Sequence, residues 1–250
     1  MDSFAATTVG GTAMKSVALA LSLAASLAVA VAAPALADAP ITKTTEKVKP
    51  SMKKGTSLFK PTMVIGEYEV IGGWAKSSNT GISGFSQKAK SSIKFKFSGP
   101  NVGPVDVACG GGQGKRKILG ITYKTQKLQY VCTFQGPGAG DDADFTLVLG
   151  EAGSLLKAIQ QPQRTAELRF GGVTLQARTE QVGGMPIGGG KVLGYVFSQD
   201  GVDIGAVDLI GDGMSAYGPV YLPSKGAKTR EAAVMLSYIL IYFDDPGHQF

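Results

Sequence analysis

The sequence predicts a mainly β protein, an antiparallel barrel or sandwich of about ten to twelve short strands with one apolar helix buried near its C-terminus. Three observations predict it. Alternating apolar and polar residues recur in short runs of the kind made by strands with one buried face. Glycine punctuates those runs, with 35 in 250 residues. The stretch Arg230 to Phe243, REAAVMLSYILIYF, carries no charge after Glu231 and has no polar face to turn to water.

The chain opens on Lys15, an apolar run from Val17 to Ala32, and Pro34-Ala35-Leu36-Ala37-Asp38. Basic residue, apolar segment and A-x-A site are the three parts of a secretory signal peptide, so residues 1–37 are expected to be removed after Ala37. The residues before Met14 lack a basic n-region, which makes Met14 an alternative start. A retained N-terminal membrane anchor is the other reading of the same run. The mature protein is expected in a periplasm or outside the cell, with no transmembrane span.

Residues 38–60 hold five lysines between Lys43 and Lys54 and few apolar residues. They read as a flexible basic leader, with a polybasic membrane-surface role as the alternative. A single domain, 61–250, is expected to begin at Pro61.

Met63 to Ile71 is the first strand expected, and Gly72 to Gln87 a long polar loop. Ser92 to Phe97 alternates Ile93, Phe95 and Phe97 with Lys94 and Lys96. Val102 to Cys109 follows. Lys117 to Tyr123 and Lys127 to Phe134 read as a hairpin about Lys124-Thr125-Gln126. Phe145 to Leu149 is a strand and Gly153 to Gln161 a helical turn. Thr165 to Arg178 gives the strongest hairpin signal, two alternating arms about Gly171-Gly172. Val192 to Phe197 and Val202 to Leu209 pair about Asp200-Gly201, and Tyr217 to Leu222 closes the series.

The final segment, 229–243, is read as a helix. Ala232, Ala233, Met235 and Leu236 are helix formers, Thr229 is placed to cap it, and Glu231 suits the first turn. Tyr238 to Phe243 is also rich in β-branched and aromatic residues, and a strand is the competing reading. At 1.5 Å per residue, Ala232 to Phe243 would be about 18 Å long, too short to cross a bilayer.

Two cysteines, Cys109 and Cys132, read as a disulfide in an exported protein. A metal pair or catalytic thiol finds no support in the sequence, because the lone histidine, His248, lies in the tail. Gly110-Gly111-Gly112-Gln113-Gly114-Lys115 departs from a phosphate-binding loop at Cys109 and Arg116, and reads as a flexible loop between the disulfide-linked strands. Asp141, Asp142 and Asp144 lack the spacing of a calcium loop and read as a solvated turn. No G-x-S-x-G elbow is present. No catalytic residue, metal ligand or cofactor is assigned.

The formal charge is +6, unevenly spread. Lys43 to Lys127 contains 16 basic and 4 acidic residues, whereas Leu128 to Phe250 contains 8 and 13. Lysines on the outer faces of strands are the plain account of this surplus. The functional one is a basic contact face of Lys94, Lys96, Lys115, Arg116 and Lys117, for an envelope protein, a glycan or an anionic lipid. Nucleic acid is set aside, as no groove of aromatic and arginine residues is visible. The expected function is therefore a non-catalytic envelope domain that binds a partner. A carrier of a lipid or other amphiphile, and a hydrolase pairing carboxylates such as Glu67, Glu69 and Glu167, are the alternatives.

Over Gly194 to Phe243 the chain resembles the tubby-like barrel superfamily, which includes the LURP-one-related proteins and phospholipid scramblases. The residues that carry the resemblance are GYVFSQDGVDIGAVDL and the later REAAVMLSYILIYF. It implies a barrel of about twelve strands closed on an apolar helix, and an association with phosphoinositides or membranes. No site residue is carried over. The signal segment and the cysteine pair depart from that pattern.

Overall fold

A computed structural model describes residues 40–54, 61–72, 76–80, 86–118, 121–149, 163–183, 193–210 and 218–243; for 76–80, 86–90, 112–118, 121–128 and 149 it describes the backbone alone. The signal segment, Trp74, Gly153 to Gln161, Asp212, Asp244 to Gly247 and His248 lie outside the described residues.

The fold is mainly β, and the described residues form fourteen strands in one antiparallel sheet and a C-terminal helix. In chain order the strands are β1 (Glu46–Val48), β2 (Ser51–Met52), β3 (Thr62–Ile65), β4 (Tyr68–Gly72), β5 (Lys76–Thr80), β6 (Ser86–Ser98) and β7 (Val105–Ile118). They continue with β8 (Ile121–Gln135), β9 (Asp144–Leu149), β10 (Arg164–Phe170), β11 (Val173–Thr179), β12 (Gly194–Gln199), β13 (Val202–Asp208) and β14 (Val220–Leu222). The helix α1 spans Arg230–Ile241. From β6 to β14 each strand pairs with its sequence neighbour, the meander expected where short turns join alternating runs.

The clearest sequence signals hold. In β10 and β11 every second residue is buried, from Arg164 through Phe170 and from Val173 through Ala177. Their turn, Gly171-Gly172, has φ of 60° and 71°, a left-handed pair that glycine adopts without a Cβ penalty. Asp200-Gly201 makes the same kind of turn between β12 and β13, with φ of 50° and 80°.

Other expectations are corrected. Met63 to Ile71 is not one strand but the hairpin β3–β4, turning at Gly66-Glu67. The expected loop from Gly72 to Gln87 contains β5, which pairs with β6 from Ser92 to Lys88. GGGQG is no loop: it lies within β7, paired to β6 throughout and to β8 across a register shift. Lys124-Thr125-Gln126 is not a turn either, since β8 runs unbroken and the hairpin reverses between Ile118 and Ile121. Polar and glycine-rich strands gave no apolar alternation to read, yet every residue there retains a backbone donor and acceptor for the ladder.

The expected leader is also partly built into the fold. Pro40–Lys43 forms a 3-10 turn, and Ile41 is buried with Val182, Val196, Ala206 and Tyr221 in a small cluster of its own. β1 pairs with β14 (Glu46 with Leu222), and β2 pairs with β3 (Met52 with Met63). Only Lys49 and Pro50 separate these two strands, which stand first and last in the strand order.

The apolar segment is a helix, and from Ala232 to Leu240 every residue is buried. Its polar atoms are satisfied internally: the Ser237 hydroxyl donates to Ala233 O (2.7 Å) and the Tyr238 hydroxyl to Gly72 O (2.7 Å). Thr229, expected to cap by its side chain, makes no such bond. Its backbone is already helical (φ −80°, ψ −12°), because the turn before it leads in through Arg230 N donating to Ala227 O. Around α1, Tyr238 packs on Phe95 of β6 at 4.6 Å between ring centroids, Phe243 packs on Tyr130 of β8 at 4.8 Å, and the helix also touches β10, β11, β13 and β14. Strands from both halves of the sheet thus meet one helix.

Candidate binding surface

Three arrangements of polar residues stand out against this apolar interior. The first is a node at the start of α1. The Arg230 side chain is buried (1% exposed). It donates to both oxygens of Glu67 at 2.6 and 2.9 Å, pairs with Glu46 at 2.9 Å, and donates to Pro223 O. Burial works to lower the Arg230 pKa, but Glu67 and Glu46 outweigh it and the net shift is upward. The Arg230 hydrogen bond holds the Glu67 carboxyl below the usual carboxylate range. Tyr68, beside this node, is pushed up to about 12, by burial first and then by Glu231 and Glu67. A cation at a helix N-terminus opposes the dipole, and two carboxylates offset that cost. Glu46 belongs to β1, Glu67 to the β3–β4 turn and Pro223 to the exit of β14, so Arg230 ties together the elements where the sheet path begins and ends.

The second arrangement lies across β6, β7 and β8, at the disulfide and the row after it. Cys109 and Cys132 are register partners joined by a disulfide, their Cα atoms 3.9 Å apart and both buried. The next inward-facing row runs Ser91, Gly111, Tyr130. A Cβ at Gly111 would collide with the backbone of Gln129 and Tyr130, so only glycine fits that close approach. The Ser91 and Tyr130 hydroxyls are buried and make no hydrogen bond of good geometry among the described residues. Burial raises the Tyr130 phenol pKa, with the nearby Ser91 hydroxyl acting weakly the other way.

Beyond that row lies the third. β9 pairs with β8 only from Gln129 to Thr133, and β4 pairs with β6 only from Phe95 to Ser98. Past these limits β5, the first half of β6, the second half of β7 and the first half of β8 continue as a four-stranded extension. Among the described residues, no strand pairs with the outer edge of β5 or of β8 from Ile121 to Leu128. The extension, 76–80, 86–91, 111–118 and 121–128, contains eight lysines and arginines and no aspartate or glutamate.

The five residues expected as one basic face divide between these regions. Lys94 and Lys96 are exposed on the upper part of β6, and Lys96 is 3.4 Å from Asp106. Lys115, Arg116 and Lys117 lie in the extension, where consecutive strand positions alternate between faces, so the three cannot all share a face with Lys94 and Lys96. Their side chains lie outside what the structure describes. Lys88 and Lys90, not singled out from sequence, belong to the same extension. The signal that would have found them is the lack of any acidic residue there.

Elsewhere on the sheet surface, several charges are matched across strands. Arg169 holds Asp144 at 2.6 and 2.9 Å, Arg178 holds Asp203 at 2.7 and 2.8 Å, and Lys53 reaches Glu69 at 2.7 Å. The Arg178 hydrogen bond keeps Asp203 below its ordinary range. Glu67, Glu69 and Glu167, considered above as partners in hydrolysis, face Arg230, Lys53 and Arg169 rather than one another. A shallow groove of about 500 Å³ crosses β9 to β12, lined by Thr146, Thr165, Gln176, Arg178 and Ser198 among others. Among the described residues no group of three metal-ligating side chains occurs, and no helix is long and apolar enough to cross a membrane.

No protein-family model matches this chain, and no similar curated protein or solved structure is found.

Proposed function

We propose that this is an exported, non-catalytic envelope domain that holds an anionic partner through its basic extension. The observation that carries the reading is the surplus of cations there. Over the rest of the sheet, several acids and bases pair across strands. The extension has eight cations and no acid of its own to pair with, beside two strand edges that no described strand covers. Such a surface attracts anionic matter at long range, with an attraction that salt screens over roughly 8 to 10 Å. A disulfide in place, between register partners, supports an oxidising compartment and with it the signal-peptide reading.

We further propose that the sheet closes into a barrel around α1, as the resemblance to tubby-like barrels implies. The support is twofold. The strand order begins and ends in one short stretch of chain, and Arg230 joins that stretch to both sheet ends. With the helix side chains inside, little room is left for cargo, which weighs against an amphiphile carrier. The engagement of Glu67, Glu69 and Glu167 with cations weighs against a carboxylate hydrolase.

The test is retention on an immobilised polyanion and on anionic vesicles at about 0.05 and 0.5 M salt, the higher concentration cutting the screening length severalfold. Retention should fall steeply with salt. It should fall again in a Lys88→Gln/Lys90→Gln/Lys115→Gln/Lys117→Gln variant that keeps the native circular dichroism spectrum. Binding that ignores both salt and these substitutions overturns the reading.

A further inference from the structure

Two side chains in the interior have hydrogen bonds still to make. Ser91 on β6 (2% exposed) and Tyr130 on β8 (0%) are buried, and neither hydroxyl has a hydrogen-bond partner among the described residues. Their row continues from Tyr130 through Leu147, Ala166 and Ala177 of β9, β10 and β11. The row before it, Ile93, Cys109, Cys132 and Phe145, is buried and apolar throughout. The hydroxyls are therefore enclosed by side chains that offer them nothing, and a buried hydroxyl without a partner keeps the full cost of its desolvation.

Gly111 is the reason the two come together. Ser91 and Tyr130 stand two strands apart, about 10 Å at the ordinary strand spacing, with only the glycine between them. A tyrosine side chain is long enough to cross that gap, and the Ser91 hydroxyl is near enough to act on the Tyr130 phenol. Yet the pair do not align as donor and acceptor. We propose that Ser91 and Tyr130 together hold an internal water molecule that bridges their hydroxyls across Gly111.

Water fits this place where other ligands do not. Two hydroxyls supply two donors and free lone pairs on both oxygens, which suits the two to four contacts of a buried water. A metal ion would want carboxylates or several oxygen ligands, and the row from Ser91 to Ala177 holds no carboxylate. An anion would stand near the C-terminal end of α1, since Phe243, two residues past the helix, packs on Tyr130 at 4.8 Å between ring centroids. That end carries partial negative charge, and its last carbonyls lack donors within the helix and can accept from water. The site is independent of what the extension binds.

The experiment joins a high-resolution crystal structure of the purified protein to two substitutions that keep the packing. Electron density should show a water within about 3 Å of both Ser91 Oγ and Tyr130 Oη. Tyr130→Phe retains the ring and should lower the urea midpoint, as should Ser91→Ala, because each leaves the water short of a partner. The double variant should fall by less than the sum of the two, since the water leaves with its second partner. Hydroxyls that hold no water predict the opposite sign: removing either would leave the midpoint unchanged or raise it. Density without a water at that position overturns the proposal, and so do midpoints that fail to fall. Lower midpoints without a water would assign the two hydroxyls to each other or to another part of this chain, and the proposal would be wrong in that case too.

Discussion

Two hairpins of the same sheet, β10–β11 and β7–β8, show how differently antiparallel pairing can be used. The first has arms of 7 residues, a two-glycine turn, and a buried side chain at every second position. The second has arms of 14 and 15 residues. Its alternation of Val105, Val107 and Cys109 against Phe134 and Cys132 continues for one more row, Gly111 opposite the buried Tyr130, and then gives way to glycines and cations. The helix explains where the change falls. Twelve residues of α1 extend about 18 Å, whereas 14 residues of β7 reach up to about 48 Å. Only some five rows of any strand can therefore rest on the helix. Backbone pairing continues beyond it because each residue still carries a donor and an acceptor. The strands that overrun the helix are free to carry charge.

The strongest way to break this contrast is to place one charge in each region. Leu236 is fully buried in α1. Leu236→Asp should cost more than about 5 kcal/mol and leave the protein unfolded at 25 °C, since a carboxylate there has no partner. Lys90→Asp, in the extension, should stay within about 0.5 kcal/mol of the parent. Urea titration followed by circular dichroism reads both. A folded Leu236→Asp protein would mean that α1 is not the core on which the sheet packs.

A smaller effect tests the boundary. The disulfide lies in the row Ile93, Cys109, Cys132, Phe145, the last before the buried hydroxyls of Ser91 and Tyr130. With the cysteines 23 positions apart in sequence, loop entropy assigns the bond roughly 3 kcal/mol. Reduction should lower stability by about that amount. Amide exchange should then quicken first in β7 and β8 beyond Cys109 and Cys132, while β10 to β13 keep their protection. Uniform loss of protection over both hairpins would erase the distinction drawn here.

The same contrast governs what the sequence could disclose. Where side chains alternate against α1, as in Ser92 to Phe97 and Thr165 to Arg178, strands and turns were legible because burial imposes a period of two. Further along the same strands, Gly110 to Gly114 looked like a loop and Lys124 to Gln126 like a turn, since no apolar alternation marks these residues as paired. Pro40 to Met52 was hidden for another reason. Its lysines suggest a solvated leader, and the contacts that hold it (Ile41 on Val196 and Tyr221, Glu46 on Arg230) come from residues more than 140 positions away. The cysteine pair was visible from its number and setting. The basic surface was visible as a bias in composition, whereas its division between upper β6 and the extension needed the register.

Charge itself is used in opposite ways by the two regions, and pH separates them. At the node of Arg230, Glu67 and Glu46 the charges are matched and one is fully buried; the extension carries eight cations and no acidic residue of its own. Glu67→Gln leaves Arg230 buried with Glu46 and a carbonyl as its remaining partners, and should cost about 2 kcal/mol at pH 7. This lies below the cost of breaking a fully buried pair because Glu67 is itself 28% exposed. The sign of the pH dependence follows from the depressed Glu67 pKa. The folded state binds the proton less readily than the unfolded chain does. The contribution is complete above the ordinary carboxylate range and is lost as pH falls through the lowered folded value. Urea midpoints of parent and variant should therefore differ at pH 7 and draw together toward pH 3, with little change between low and high salt. Charges in the extension should behave the other way, with stability indifferent to their removal and binding sensitive to salt. A parent–variant gap that stayed constant down to pH 3 would show that Glu67 does not hold Arg230 as a carboxylate, and Arg230 would then lose its part in joining the two ends of the sheet.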